Sequence, residues 1–224
     1  MTRTVLLLAI VLSAPIKTAR AQSLSLVGRG NLSIGLQYND LDYNGGELFY
    51  SPGGGMGLEG GLRLDIGEGF AIQSTLGYQL HLALQTESIN GISNKSSFNF
   101  NRKFVSFGML KKFKLGHGIV GGFQLGAGTS LNLPGTLKRI ENDNELGESN
   151  YNSNVGFYFE AGLRLRILDN VYLDPAIRYR QLSFVAKSFS DGAISDLPEH
   201  LQQLNANGIE LGLTIVKNIG SDQL

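Results

Sequence analysis

The sequence has no cysteine, no tryptophan and no net charge. Without cysteine there are no disulfides, no thiolate metal sites, no cysteine nucleophile and no lipid-anchored N-terminal cysteine. A balance of nineteen basic against nineteen acidic residues leaves no basic field for nucleic acid. After the N-terminal stretch there is no apolar run of about eighteen residues, the minimum for a membrane-crossing helix. What the chain has instead is glycine, 30 of 224 residues, and long alternation of apolar with polar positions.

The cleanest alternation places Phe70, Ile72, Leu76, Tyr78, Leu80, Leu82 and Leu84 on one parity, with Gln73, Thr75, Gly77, Gln79 and His81 on the other. Period two puts these sets on opposite faces of a strand. Its length exceeds the usual strand of about five or six residues and suits a tilted bilayer crossing of roughly nine to eleven.

The N-terminus reads as a separate object. Arg3 precedes the apolar run Val5 to Leu12, and Ala19-Arg20-Ala21 follows, so residues 1–21 read as a secretory signal cleaved before Gln22. Its removal leaves sixteen basic against nineteen acidic residues, a mildly acidic mature chain.

Residues 22–224 carry eight alternating segments, predicted near Leu24–Tyr38, Gly55–Ile66, Phe70–Leu84, Arg102–Lys112, Ile119–Leu133, Tyr151–Ile167, Val171–Val185 and Ala206–Lys217. Short connections at Gly67–Gly69, Phe113–Gly118 and Leu168–Asn170 alternate with long ones near Asn39–Gly54, Gln85–Asn101, Pro134–Asn150 and Ala186–Asn205. Strict alternation with an even strand count predicts an all-β fold, an eight-stranded antiparallel up-and-down transmembrane barrel with both termini at the short-turn side. The fourth segment does not choose a face, because Phe104 and Leu110 share one parity while Val105, Phe107 and Met109 share the other.

The polar parity decides which face is wet. It is rich in glycine and in arginine rather than lysine, which suits a crowded lumen rather than the surface of a soluble barrel. Arg29, Glu59, Arg63, Asp65, Glu160, Arg164, Arg166, Asp174, Arg178, Arg180 and Glu210 fall on it. Eight strands enclose a space just wide enough to be filled by side chains, and desolvated charges persist there only when paired. A hairpin centred on Asp169 sets Glu160 opposite Arg178 and Arg164 opposite Asp174; centred on Asn170, it sets Glu160 opposite Arg180 and Arg166 opposite Asp174. Both registers match opposite charges, and the pattern predicts a structural plug, with a selectivity lining as the alternative.

Other motifs carry less. Gly116-His117-Gly118-Ile119-Val120-Gly121 matches G-x-G-x-x-G but precedes a strand, so it reads as a tight turn rather than a dinucleotide site. His81 is the one histidine on the lumen parity of a segment, and it reads as a hydrogen-bonded interior residue. The acidic run Glu141 to Glu148 lacks the register of a calcium loop and reads as solvated. Gly53–Gly55 beside Pro52 reads as a flexible loop end. Tyr38, Tyr50, Phe70, Phe113, Tyr151, Tyr172 and Phe184 gather near segment ends, as aromatic girdles do.

On its segments, signal and paired charges, the chain resembles the small eight-stranded outer-membrane barrels of Gram-negative bacteria, the OmpA/OmpX-like porin-superfamily type. Asn207-Gly208-Ile209-Glu210-Leu211-Gly212-Leu213 also resembles the last-strand signal read by the barrel-assembly machinery, although Gly-Ser-Asp-Gln-Leu follows rather than a terminal aromatic. The resemblance implies an outer-membrane location, membrane lipid and the assembly machinery as partners, and a monomer. It implies no enzymatic activity, cofactor, metal or nucleic acid, and four outward loops serving envelope integrity or surface contact with an unidentified partner. A narrow diffusion pore and a membrane-embedded lipid-modifying enzyme are the alternatives.

Overall fold

The strand pleat turns alternation into two faces, and in the computed structural model the apolar face is outside. Leu58 is 71% exposed and Leu76 67%, whereas Arg178 is 2% exposed. Such a molecule is a solute of lipid, not of water.

The structure describes residues 23–37, 39–43, 46–89, 92–115, 119–133, 135–141, 144–197 and 199–219. The signal segment and His117 of the glycine motif lie outside them. In chain order the strands are β1 (Ser23–Gly35), β2 (Asn39–Tyr43), β3 (Gly46–Tyr50), β4 (Gly55–Gly67), β5 (Phe70–Ile89), β6 (Ile92–Lys114), β7 (Val120–Leu133), β8 (Thr136–Glu141), β9 (Asn144–Tyr151), β10 (Asn154–Leu168), β11 (Val171–Gln181), β12 (Ser183–Phe189), β13 (Gln203–Asn205) and β14 (Gly208–Ile219). Eight of them, β1, β4, β5, β6, β7, β10, β11 and β14, form a closed ring of antiparallel neighbours. The ring closes first strand to last, from Leu24 opposite Ile219 to Gly35 opposite Gly208, so it has no free edge.

Turn chemistry sets the β4–β5 register. Glu68 and Gly69 both have positive φ, 51° and 77°, the requirement of the two-residue turn whose twist matches a hairpin. The β10–β11 hairpin takes the register centred on Asp169, with Glu160 opposite Arg178; the register centred on Asn170 does not occur.

The fourth segment's ambiguity has a packing cause. On β6 the even positions Arg102, Phe104, Ser106 and Leu110 are buried and the odd positions Val105, Phe107 and Met109 face out. Phe104 and Leu110 are apolar residues inside the lumen because glycines make room for them. A Cβ on Gly77 would strike the Phe104 ring, and one on Gly126 would stand 2.5 Å from Leu110 Cδ2.

The long connections hold more structure than their composition indicates. Gln85–Asn101 is not a loop; β5 and β6 stay paired up to Ile89 opposite Ile92. The acidic segment forms the β8–β9 hairpin, with Lys138 3.3 Å from Glu148. β8 pairs with β6, β9 with β8, β12 with β9 and β13 with β12, extending the sheet beyond the barrel. A short helix, Glu199–Gln202, lies beside it. Phe100, Leu137, Tyr151, Phe184, Leu201 and Leu204 form a buried apolar cluster here. Tyr151 and Phe184 therefore do not belong to a girdle. Tyr172 lies beneath a guanidinium at the barrel mouth, and the side chains of Tyr38 and Tyr50 lie outside the described residues.

Candidate functional site

The lumen is the candidate site, and it is layered. In the middle layer Arg178 of β11 is the hub. Its guanidinium stands 2.8 Å from Glu59, 3.0 Å from Glu160 and 3.6 Å from Glu210, carboxylates from β4, β10 and β14. Arg29 of β1 pairs with Glu160 and stands 3.8 Å from Glu59, while Arg180 pairs with Glu210. Thr75 donates to the second oxygen of Glu59 at 2.9 Å, and Arg178 lies 4.4 Å above the Tyr158 ring. Every charged side chain of this layer is at most 4% exposed. At such burial a carboxylate without a cation costs several kcal/mol or more, so the alternation of sign is what permits the layer to exist.

Toward the short turns, Arg63 pairs with Asp174 at 2.7 Å and donates to Gln73 at 2.9 Å. Asp174 therefore binds the β4 arginine rather than Arg164, its opposite number in the hairpin register. Arg164 is half-buried and stacks 3.9 Å from the Tyr172 ring. Asp65 is bound by Lys112, with Ser23 donating at 3.1 Å. Arg166 corrects the predicted set: it is exposed and pairs with Asp169 in the turn, outside the network, because a bulge after Arg166 ends the regular pleat.

Toward the long connections the lumen is covered. Ser51, Pro52, Gly53 and Gly54 fold inward and are buried, contrary to a flexible loop end. Ser33 donates to the Gly53 carbonyl at 2.5 Å and Gln79 to that of Gly54 at 3.0 Å. A Cβ on Gly53 would collide with the Asn207 carbonyl, and one on Gly54 would lie 3.2 Å from the His81 ring. The glycines are there because the lid fits too tightly for side chains. His81 packs against this lid.

Sequence reading missed Arg102. It is 2% exposed, donates to Gln79 beside Arg180, and lies 5.4 Å from the Phe104 ring, with no carboxylate partner among the described residues. The signal was hidden at the edge of the segment whose parity was undecided. Buried amides join the charges in the lumen: Gln73 and Gln79, on the polar parity as read from the sequence, and Gln124, Asn31 and Asn132. Outside the membrane-spanning strands, burial holds the Tyr151 phenol above its ordinary range, and its hydroxyl donates to the Leu201 carbonyl at 3.0 Å.

Chemically, most of this interior is charge-paired, with Arg102 as the cation left over among the described residues. Glycines let the large side chains interleave. No curated protein matches the chain. Among solved structures it is similar to Neisserial surface protein A, at 13% identity over 89% of this chain and 99% of that one, with a TM-score of 0.54. The outer membrane protein AlkL, in lipid bilayers, is similar at 16% identity over 95% and 98%, TM-score 0.52. A major outer membrane protein of Thermus thermophilus matches at 13% identity over 88% and 100%, TM-score 0.50. These likenesses are of fold. The family model of the outer membrane protein β-barrel domain matches residues 4–215, and the chain belongs to that family.

Proposed function

We propose that the protein is a non-enzymatic outer-membrane scaffold of a Gram-negative bacterium, exported through a cleaved signal. Its plugged barrel holds four outward connections for envelope integrity or contact with a surface partner. The observation that carries this reading is the Arg178 hub, which ties carboxylates of three strands together across the lumen. A passage would need those ion pairs to part and leave buried charges uncompensated. The lid at Ser51–Gly54 is a second obstruction in series.

Planar-bilayer recording with the purified protein tests the plug. The expected record is silent; stepwise conductance would replace the scaffold with a narrow pore. A lipid-deacylation assay tests the enzymatic alternative, and turnover abolished by His81→Ala would establish it. Fractionation with outer membranes and heat-modifiable gel migration are expected, whereas recovery as a soluble protein would remove the membrane reading altogether.

A further inference from the structure

The short-turn mouth of the barrel is a cup rather than the entrance to a channel. A cavity of about 680 Å³ opens there, lined by Asp65, Lys112, Lys114, Arg164, Arg166 and Tyr172 among others. Beyond these residues the Arg63–Asp174 pair closes the lumen, with side chains 1% and 0% exposed. Whatever enters the cup can be held but not passed on.

Its charge is unbalanced. Four cations stand here against three carboxylates, Asp65 and Glu68 in the lining and Asp169 beside Arg166. Lys112 is taken by Asp65 and Arg166 by Asp169. Arg164 and Lys114 have no ion pair among the described residues, and Arg164 Nη1 is buried without a hydrogen-bond partner. The sheet register brings these two together. Gly122 of β7 is opposite Lys114 on one side and Arg164 on the other, so the cations flank it in a single row. Two strand spacings, about 10 Å, separate their backbones, a span that two long side chains close around one tetrahedral anion. Gly122 stands between them because a Cβ there would strike the Phe113 carbonyl. Tyr172 holds the Arg164 guanidinium flat at 3.9 Å.

We propose that this cup binds a phosphate-bearing anion, held between Arg164 and Lys114. The same chemistry is offered by an anionic lipid headgroup of the adjoining leaflet and by free phosphate. The apolar flank of the cup, where Phe113 and Phe123 stack at 4.4 Å, can also accommodate the first carbons of a lipid.

The test is calorimetric titration of the protein, purified from membranes in a non-ionic detergent, with inorganic phosphate and with dihexanoyl phosphatidylglycerol. Saturable binding of at least one is expected, weakened tenfold or more by Lys114→Gln with Arg164→Gln and unchanged by Lys217→Gln, an exposed lysine on the outer face. Binding of phosphatidylglycerol alone assigns a headgroup, and binding of phosphate alone assigns a soluble anion. Binding of both assigns the phosphate group itself. If the double variant does not fold, Lys114→Gln alone, at an exposed position, is expected to weaken binding severalfold. No saturable binding of either ligand, or variants that bind like the parent, would overturn the proposal.

Discussion

Arg178 and Glu59 meet at 2.8 Å across the lumen, although β14 and β1 separate their strands along the wall. The contact is a strut between opposite walls rather than a rung between neighbours. Arg178 also holds Glu160, its neighbour on the adjacent strand, at 3.0 Å. One guanidinium thus links a hairpin neighbour to a strand across the lumen.

Removing that guanidinium leaves several carboxylates under-compensated in a space without bulk water. Arg178→Gln is expected to lower unfolding stability by about 3–5 kcal/mol, the usual result of breaking one side of a buried pair, and Glu160→Gln to act in the same direction. Because the two share an ion pair, the double variant should fall short of the sum by about 0.5–3 kcal/mol. Asp169→Asn, in an exposed turn pair, should leave stability unchanged. Denaturant titration in detergent micelles measures all four, and equal small effects would mean a wide, wet lumen.

Much of this arrangement is legible in the sequence. Alternation reveals strands, faces and the order of long and short connections, and the hairpin arithmetic narrows Glu160 to Arg178 or Arg180. It cannot reveal cross-lumen partners, because the distance from β4 to β11 depends on closure of the ring rather than on any local spacing. The pairing of Asp174 with Arg63 instead of Arg164 is of this kind. Arg102 was missed for another reason: Phe104 and Leu110 occupy lumen positions over glycines, so the parity of β6 cannot be read from hydrophobicity. The paired extensions beyond the barrel were illegible because Thr86-Glu87-Ser88 and Asn94-Lys95-Ser96 are polar on both parities, and such a segment has no apolar rhythm.

The lumen glycines are packing devices, which a paired substitution checks. A Cβ on Gly108 would collide with the Tyr158 hydroxyl. Gly108→Ala is expected to cost about 1–3 kcal/mol through overpacking, and Tyr158→Phe in the same chain to restore part of it. No recovery in the double variant would place the strain in the backbone instead.

The apolar cluster above the barrel should yield before the barrel does. Phe184 is fully buried, 5.5 Å from the Phe100 ring, and Phe184→Ala leaves a cavity costing about 3–5 kcal/mol. Regions of low local stability open independently of the whole, so limited proteolysis should cut the connection between β12 and β14 while the remaining barrel keeps its heat-modifiable migration. An equal fall in barrel stability would make cap and barrel one cooperative unit.

Orientation underlies every surface role, and the absence of cysteine makes it directly measurable, since an introduced thiol is unique. Ser195, in the turn Ile194–Asp196 of the last long connection, is exposed, as is Asp169 in the β10–β11 turn. Long connections face outward in barrels of this kind and short turns face the periplasm. Ser195→Cys is therefore expected to react with a membrane-impermeant maleimide on intact cells, and Asp169→Cys only after the outer membrane is broken. Both sites lie outside the charged lumen, so neither substitution should alter heat-modifiable migration. Labelling of Asp169→Cys on intact cells with Ser195→Cys protected would invert the molecule, turning the anion cup to the outside and the apolar cap to the periplasm.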